Sequence, residues 1–155
     1  MNMRKYLFSL LILVPFAFAE CKADNAEGPK STGASEGPVT FLTNESFKKL
    51  VFDYEANKEW KYAGKMPAII DFYADWCAPC RQLSPIVEQL AKEYEGKIKV
   101  YKVDTEKEIN LSQNLGITGL PTLLFIPVEG KPQVTMGALP KESLVQAINE
   151  VLKVK

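Results

Sequence analysis

Two kinds of apolar patterning alternate along the chain. "AIIDFYA", residues 68–74, is almost continuously apolar, as expected of a strand covered on both faces. "KIKVYKV", residues 97–103, reads as a second strand. Between them, from Ala78 to about Tyr94, Leu83, Ile86, Val87, Leu90 and Ala91 recur at helical spacing. Gly96 supplies the stop, and Pro85 inside the helix is expected to kink it. Strand, helix and parallel strand in that order make a right-handed βαβ unit. Upstream, "VTFL" is a short strand, followed by a helix capped by Thr43 or Asn44. That helix has Glu45 in its first turn and Phe47, Leu50 and Val51 on its inner face. "KEWKYAGKMP" reads as a polar and aromatic connection closed by Gly64 and Pro67. Downstream, "TEKEINLSQNLG" predicts a helix ended by Gly116, and "PTLLFIP" and "PQVTMGA" flank the hairpin signal "VEGK". A last helix begins near Pro140, with Leu144, Ile148, Val151 and Leu152 on one stripe. The pattern predicts an α/β fold: a central mixed β-sheet flanked by helices on both faces.

The first nineteen residues follow a different rule. Arg4 and Lys5 precede an apolar run from Leu7 to Ala19 that is too short for the roughly 20 residues of a membrane-spanning helix. It ends in Ala17-Phe18-Ala19, the small-x-small pattern of a signal-peptidase site, so residues 1–19 read as a cleavable secretory signal. The alternative is an uncleaved, poorly anchoring tail. Cys21 stands where a lipid-modified cysteine would, but Glu20 is a poor match for the small residue that such a motif carries, so a free thiol is preferred over a lipid anchor. Residues 20–38 are rich in Gly, Pro, Ser and charge and read as a flexible linker, which leaves residues 39–155 as one folded domain.

Composition then removes most of the usual chemistry. Nineteen basic residues balance nineteen acidic ones and no basic patch stands out, so no nucleic-acid footprint is expected. Without residues 1–19 the chain is near −2. The chain has no histidine and three cysteines. Cys/His zinc sites, four-cysteine zinc sites, Cys–His nucleophile pairs and Ser-His-Asp triads are therefore excluded, as is a disulfide-stapled scaffold.

What remains is "DFYADWCAPCRQLSP", together with "GITGLPT" and "GALPKESL". These stretches, in this order of elements, closely resemble the thioredoxin family over roughly residues 39–155. The family signature Trp-Cys-Gly-Pro-Cys stands here as Trp76-Cys77-Ala78-Pro79-Cys80. Asp71 in the preceding strand and Gly119-Leu120-Pro121-Thr122 later in the chain accompany it. The segment "YEANKEWKYAGK" is longer than in compact members. With the leader, the chain resembles an exported, periplasmic member of the family.

The resemblance implies the thioredoxin fold and a thiol–disulfide oxidoreductase. Unpaired N–H groups and the helix dipole at the start of the helix favour a negative charge by about 0.3–1 kcal/mol, which makes a thiolate without histidine. Cys77 is expected to be the exposed nucleophile and Cys80 the resolving thiol. Pro79 between them fixes φ. A loop this short makes a poor stabilising staple, which argues against a purely structural disulfide. An unpaired carboxylate in an apolar strand costs several kcal/mol, so Asp71 is expected to have a raised pKa or a nearby cation, and Lys102 in "VYKVD" is the obvious partner. By resemblance Asp71 is the general base for Cys80, assisted by Lys102; a structural ion pair is the alternative. Also by resemblance, the Leu120–Pro121 bond is cis, and Trp76, Ala78, Pro79, Leu120, Pro121, Gly137 and Ala138 form the apolar surface that receives an extended polypeptide.

Ala78-Pro79 is close to the Gly-Pro of reductive members, whereas oxidants and isomerases commonly carry a histidine there. A disulfide reductase is the leading expectation. A disulfide oxidase or isomerase, or a non-enzymatic binding domain, is the alternative. No cofactor and no metal are expected. The expected partners are disulfide-bonded or thiol-containing exported proteins, with a membrane thiol-electron transporter as electron donor, and the chain is read as a monomer.

Overall fold

Thr43 opens the first helix with a reciprocal cap. Its hydroxyl accepts from the Ser46 N–H at 3.2 Å, and the Ser46 hydroxyl accepts from the Thr43 N–H at 2.8 Å. In the computed structural model, which describes residues 38–155, the elements are β1 (Val39–Phe41), α1 (Asn44–Leu50), β2 (Ala68–Tyr73), α2 (Ala78–Glu93) and β3 (Lys99–Asp104). They are followed by α3 (Ile109–Asn114), β4 (Thr122–Ile126), β5 (Gln133–Met136) and α4 (Lys141–Glu150). The expected signal segment, most of the linker and Cys21 lie outside the described residues.

The five strands form one sheet in the order β1-β3-β2-β4-β5. β3 runs parallel to β1 and β2, while β4 runs antiparallel to β2 and β5, so the sheet is mixed. Strand periodicity splits its apolar side chains between two layers. Ile70 and Phe72 of β2, Val103 of β3 and Leu124 and Ile126 of β4 pack with Phe47 of α1 and Leu111 of α3. Ile69, Val100, Leu123 and Phe125 face the other way, onto Leu83, Val87 and Leu90 of α2 and Leu144 and Ile148 of α4. Helices therefore cover both faces. Each fully buried Leu, Ile or Phe contributes about 1.5–3 kcal/mol relative to exposure. The same alternation puts Asp71 and Lys102 on the α2/α4 face, paired across the β2–β3 register.

Three local expectations change. Leu50 is 43% exposed: Phe47 and Val51, one turn apart, take the inner positions of a short helix and leave Leu50 at its rim. α3 begins at Ile109 rather than Thr105, because the Asp104 carboxylate accepts the Glu106 N–H at 3.0 Å and holds residues 105–107 in a turn. The connection after α1 also joins the core. The Trp60 ring lies 4.8 Å from that of Phe52, and the Tyr62 hydroxyl donates to the Met66 carbonyl at 2.7 Å. Elsewhere Gly96 and Gly116 follow their helices at φ +75° and +69°, a conformation that favours glycine. α2 continues through Pro85.

Candidate active site

The centre of the sheet delivers two cysteines to a helix end. β2 stops at Tyr73, and the chain turns so that the Cys77 N–H donates to the Ala74 carbonyl at 3.1 Å. Cys77 is then the N-cap of the sixteen-residue helix α2. Its Sγ takes the place of a capping oxygen and accepts from the Cys80 N–H at 3.2 Å. Pro79 lies in the first turn, where its missing N–H costs nothing. Cys77 and Cys80 are joined as a disulfide, with Cα atoms 5.2 Å apart.

The expectation of an exposed Cys77 is corrected: the residue is only 3% exposed. The two cysteines and Ala74 form a small apolar cluster against which Tyr73 and Leu120 pack. Leu120 arrives from the turn before β4, where the Leu120–Pro121 peptide bond is cis. Pro121 itself is buried, and its carbonyl accepts from the Gly137 N–H at 2.8 Å. Gly137 has φ +94°, so its place at the end of β5 requires a residue without a Cβ. Around this centre Trp76 is 67% exposed, and Ala78, Pro79 and Ala138 are exposed as well. Leu120 thus meets the cysteines directly, Trp76, Ala78 and Pro79 flank them in the chain, and Gly137 reaches the group through Pro121.

Asp71 is fully buried, and neither carboxyl oxygen has a hydrogen-bond partner among the described residues. Burial pushes its pKa from the ordinary 3.8 up to about 6, while the charge of Lys102 pulls the other way. The Lys102 Nζ lies 3.9 Å from Asp71 Oδ2, beyond hydrogen-bond distance. It donates instead to the Ser84 hydroxyl of α2. It is also 3.9 Å from the Glu88 carboxylate and 4.8 Å from the centre of the Tyr73 ring. A cleft of about 270 Å³, lined by Tyr73, Asp75, Cys80, Arg81, Ser84 and Lys102, opens onto this group. Sequence reasoning named Asp71 and Lys102 but missed Ser84 and Glu88. The signal was present: Cys80, Ser84 and Glu88 are spaced by four, which puts them on one helix face.

Among the described residues no three metal-ligating side chains converge. The arrangement offers a dithiol/disulfide pair, a proton acceptor in the core and a solvent-facing apolar rim.

Comparison with known proteins points one way. The protein family described as Thioredoxin matches residues 38–150. A thioredoxin of Borreliella burgdorferi is 53% identical over 109 residues, covering 70% of this chain and 93% of that protein. Thioredoxin 1 of Nostoc sp. is 36% identical over 111 residues, covering 72% and 94%. A crystal structure of chloroplastic thioredoxin z superposes with a TM-score of 0.63 at 29% identity, covering 75% of this chain and 96% of that one.

Proposed function

The chain belongs to the thioredoxin family and is a thiol–disulfide oxidoreductase, and from that premise we propose that it is a periplasmic protein-disulfide reductase. The observation that carries the reading is Cys77 Sγ serving as the cap of α2, where backbone N–H groups and the helix dipole stabilise a thiolate. Reduced Cys77 attacks one sulfur of a substrate disulfide, and the departing sulfur takes the bond pair and then a proton. Asp71 accepts the Cys80 proton, and the Cys80 thiolate attacks Cys77 Sγ. The substrate's second sulfur leaves as a thiolate, and two electrons have passed to the substrate. Trp76, Ala78, Pro79, Leu120, Pro121, Gly137 and Ala138 receive the polypeptide. The resulting disulfide is reduced by a membrane thiol-electron transporter.

Ala78-Pro79 between the cysteines favours the reductive direction, and the leader-like residues 4–19 favour export. The substrates are disulfide-bonded exported proteins. Equilibration with a glutathione redox buffer, beside an insulin-reduction assay, tests the direction. A potential of about −270 mV with catalysed insulin reduction is expected, whereas one of about −120 mV, as in strong oxidants, overturns the reductase reading. Mass spectrometry of the chain recovered from the periplasm tests the export reading. A mature N-terminus at Glu20 is expected; a full-length cytoplasmic chain refutes export, and a diacylglyceryl Cys21 refutes cleavage after Ala19.

A further inference from the structure

The Lys102 ammonium faces two carboxylates, a hydroxyl and an aromatic ring, and its hydrogen bond goes to the hydroxyl. Ser84 Oγ accepts it at 2.5 Å, whereas Asp71 Oδ2 and Glu88 Oε1 each stand 3.9 Å away. Glu88 is exposed at the outer end of this row, where water weakens its pull. Asp71 sits at the inner end with both oxygens unpartnered. A buried carboxylate beside an ammonium ordinarily draws it into a charge-assisted hydrogen bond of about 2.7–2.9 Å. Here the partner in that bond is the serine.

We propose that Ser84 is a positioning residue for the resolving step: its hydroxyl holds the Lys102 ammonium at ion-pair rather than hydrogen-bond distance from Asp71 and so keeps that carboxyl basic enough to take the Cys80 proton. The inference rests on the reading of Asp71 as the base for Cys80. Other groups around Asp71 do not supply the same control. β4 opposes it with Leu123, and α4 adds Leu144 and Ile148 to the same face. On its own strand Tyr73 lies under Lys102, and on α2 Glu88 competes for the same ammonium. Asp75, Arg81 and Cys80 line the cleft beside Ser84, with Arg81 bonded to the Asp75 carbonyl.

The sign follows from distance. Without the serine hydroxyl, Nζ is free to close on Asp71 Oδ2. Shortening 3.9 Å to about 2.9 Å strengthens a charge interaction by about a third, which at an effective dielectric of about 20 lowers the carboxyl midpoint by about one pH unit. Ser→Ala on a half-buried helical position is compatible with folding, since alanine is the better helix former.

The test follows the Asp71 side-chain carboxyl by carbon-13 NMR against pH in the reduced full-length protein. Ser84→Ala is expected to lower the midpoint by about one pH unit, and Ser84→Thr, which keeps the hydroxyl, to restore it. In a Lys102→Met background, Ser84→Ala is expected to have no effect, because its influence runs through the ammonium. A midpoint that moves by less than about 0.2 units, moves upward, or shifts equally without Lys102 overturns the role of Ser84. Single-turnover release of a trapped mixed disulfide is measured alongside, and its acid limb is expected to move with the carboxyl. A carboxyl that shifts while release does not follow refutes Asp71 as the base, and with it any role of Ser84 in resolution. An unmoved carboxyl refutes Ser84 alone.

Discussion

Replacing Asp71 by Asn removes a charge from the centre of the sheet and should leave a more stable protein. The folded carboxyl titrates at about 6 against an ordinary 3.8, chiefly because it is buried. It therefore holds its proton more tightly folded than unfolded. Its stabilising effect is complete only below about pH 3, and stability falls as pH rises through the window from about 4 to 6. The shift of about two units corresponds to about 3 kcal/mol lost at pH 7, of which about half a kcal/mol is already lost at pH 4. Asn is close in size and does not ionise. The stability of Asp71→Asn relative to the parent should therefore rise by about 2–2.5 kcal/mol between pH 4 and pH 7. Urea unfolding of the oxidised proteins at several pH values measures this, with the disulfide intact so that neither cysteine titrates. Parallel stability curves, with a difference constant within about 0.5 kcal/mol, refute the argument that Asp71 is an ionisable cost inside the fold.

Cys80→Ser should accumulate a mixed disulfide between Cys77 and substrate, whereas Cys77→Ser should form none; non-reducing electrophoresis after mixing with a disulfide-bonded protein distinguishes them. Trp76→Ala should raise KM for a polypeptide disulfide several-fold while leaving the reaction with a small aromatic disulfide within about twofold, because the exposed ring is assigned to docking of the polypeptide. Equal losses for both substrates contradict a docking role. Thr43→Ala should cost about 1 kcal/mol in urea unfolding through loss of the α1 cap, and no change shows that the cap is not sustained in solution.

Much of this architecture is written in local pattern. The apolar run 68–74 marked β2, the 3.6-residue spacing marked α2, and Gly96 and Gly116 marked helix ends, because each signal acts within a few residues. Asp71 was identifiable because a carboxylate is anomalous in such a strand, and Lys102, the lysine of the inner stretch "VYKVD" of the next strand, stood out as its partner. What escaped depends on distant groups. The order β1-β3-β2-β4-β5 arises from crossovers that periodicity does not encode. Cys77 is covered by Leu120, more than forty positions later, so its low exposure had no local sign. Trp60 read as part of a polar connection because its packing against Phe52 depends on how the segment folds back. Ser84 looked like an ordinary helical serine until Lys102 was placed beside it.

The narrow access to Cys77 sorts molecules by how they approach. Sulfur exchange needs the incoming sulfur nearly in line with the bond it breaks, and Cys77 is 3% exposed, with Leu120 and Tyr73 packed against the cysteine pair. On the proposed reading, a polypeptide that first spreads along the exposed Trp76, Pro79 and Ala138 brings its sulfur to that covered pair. A partner held there keeps its sulfur beside the pair while it reacts, an advantage that a small thiol lacks.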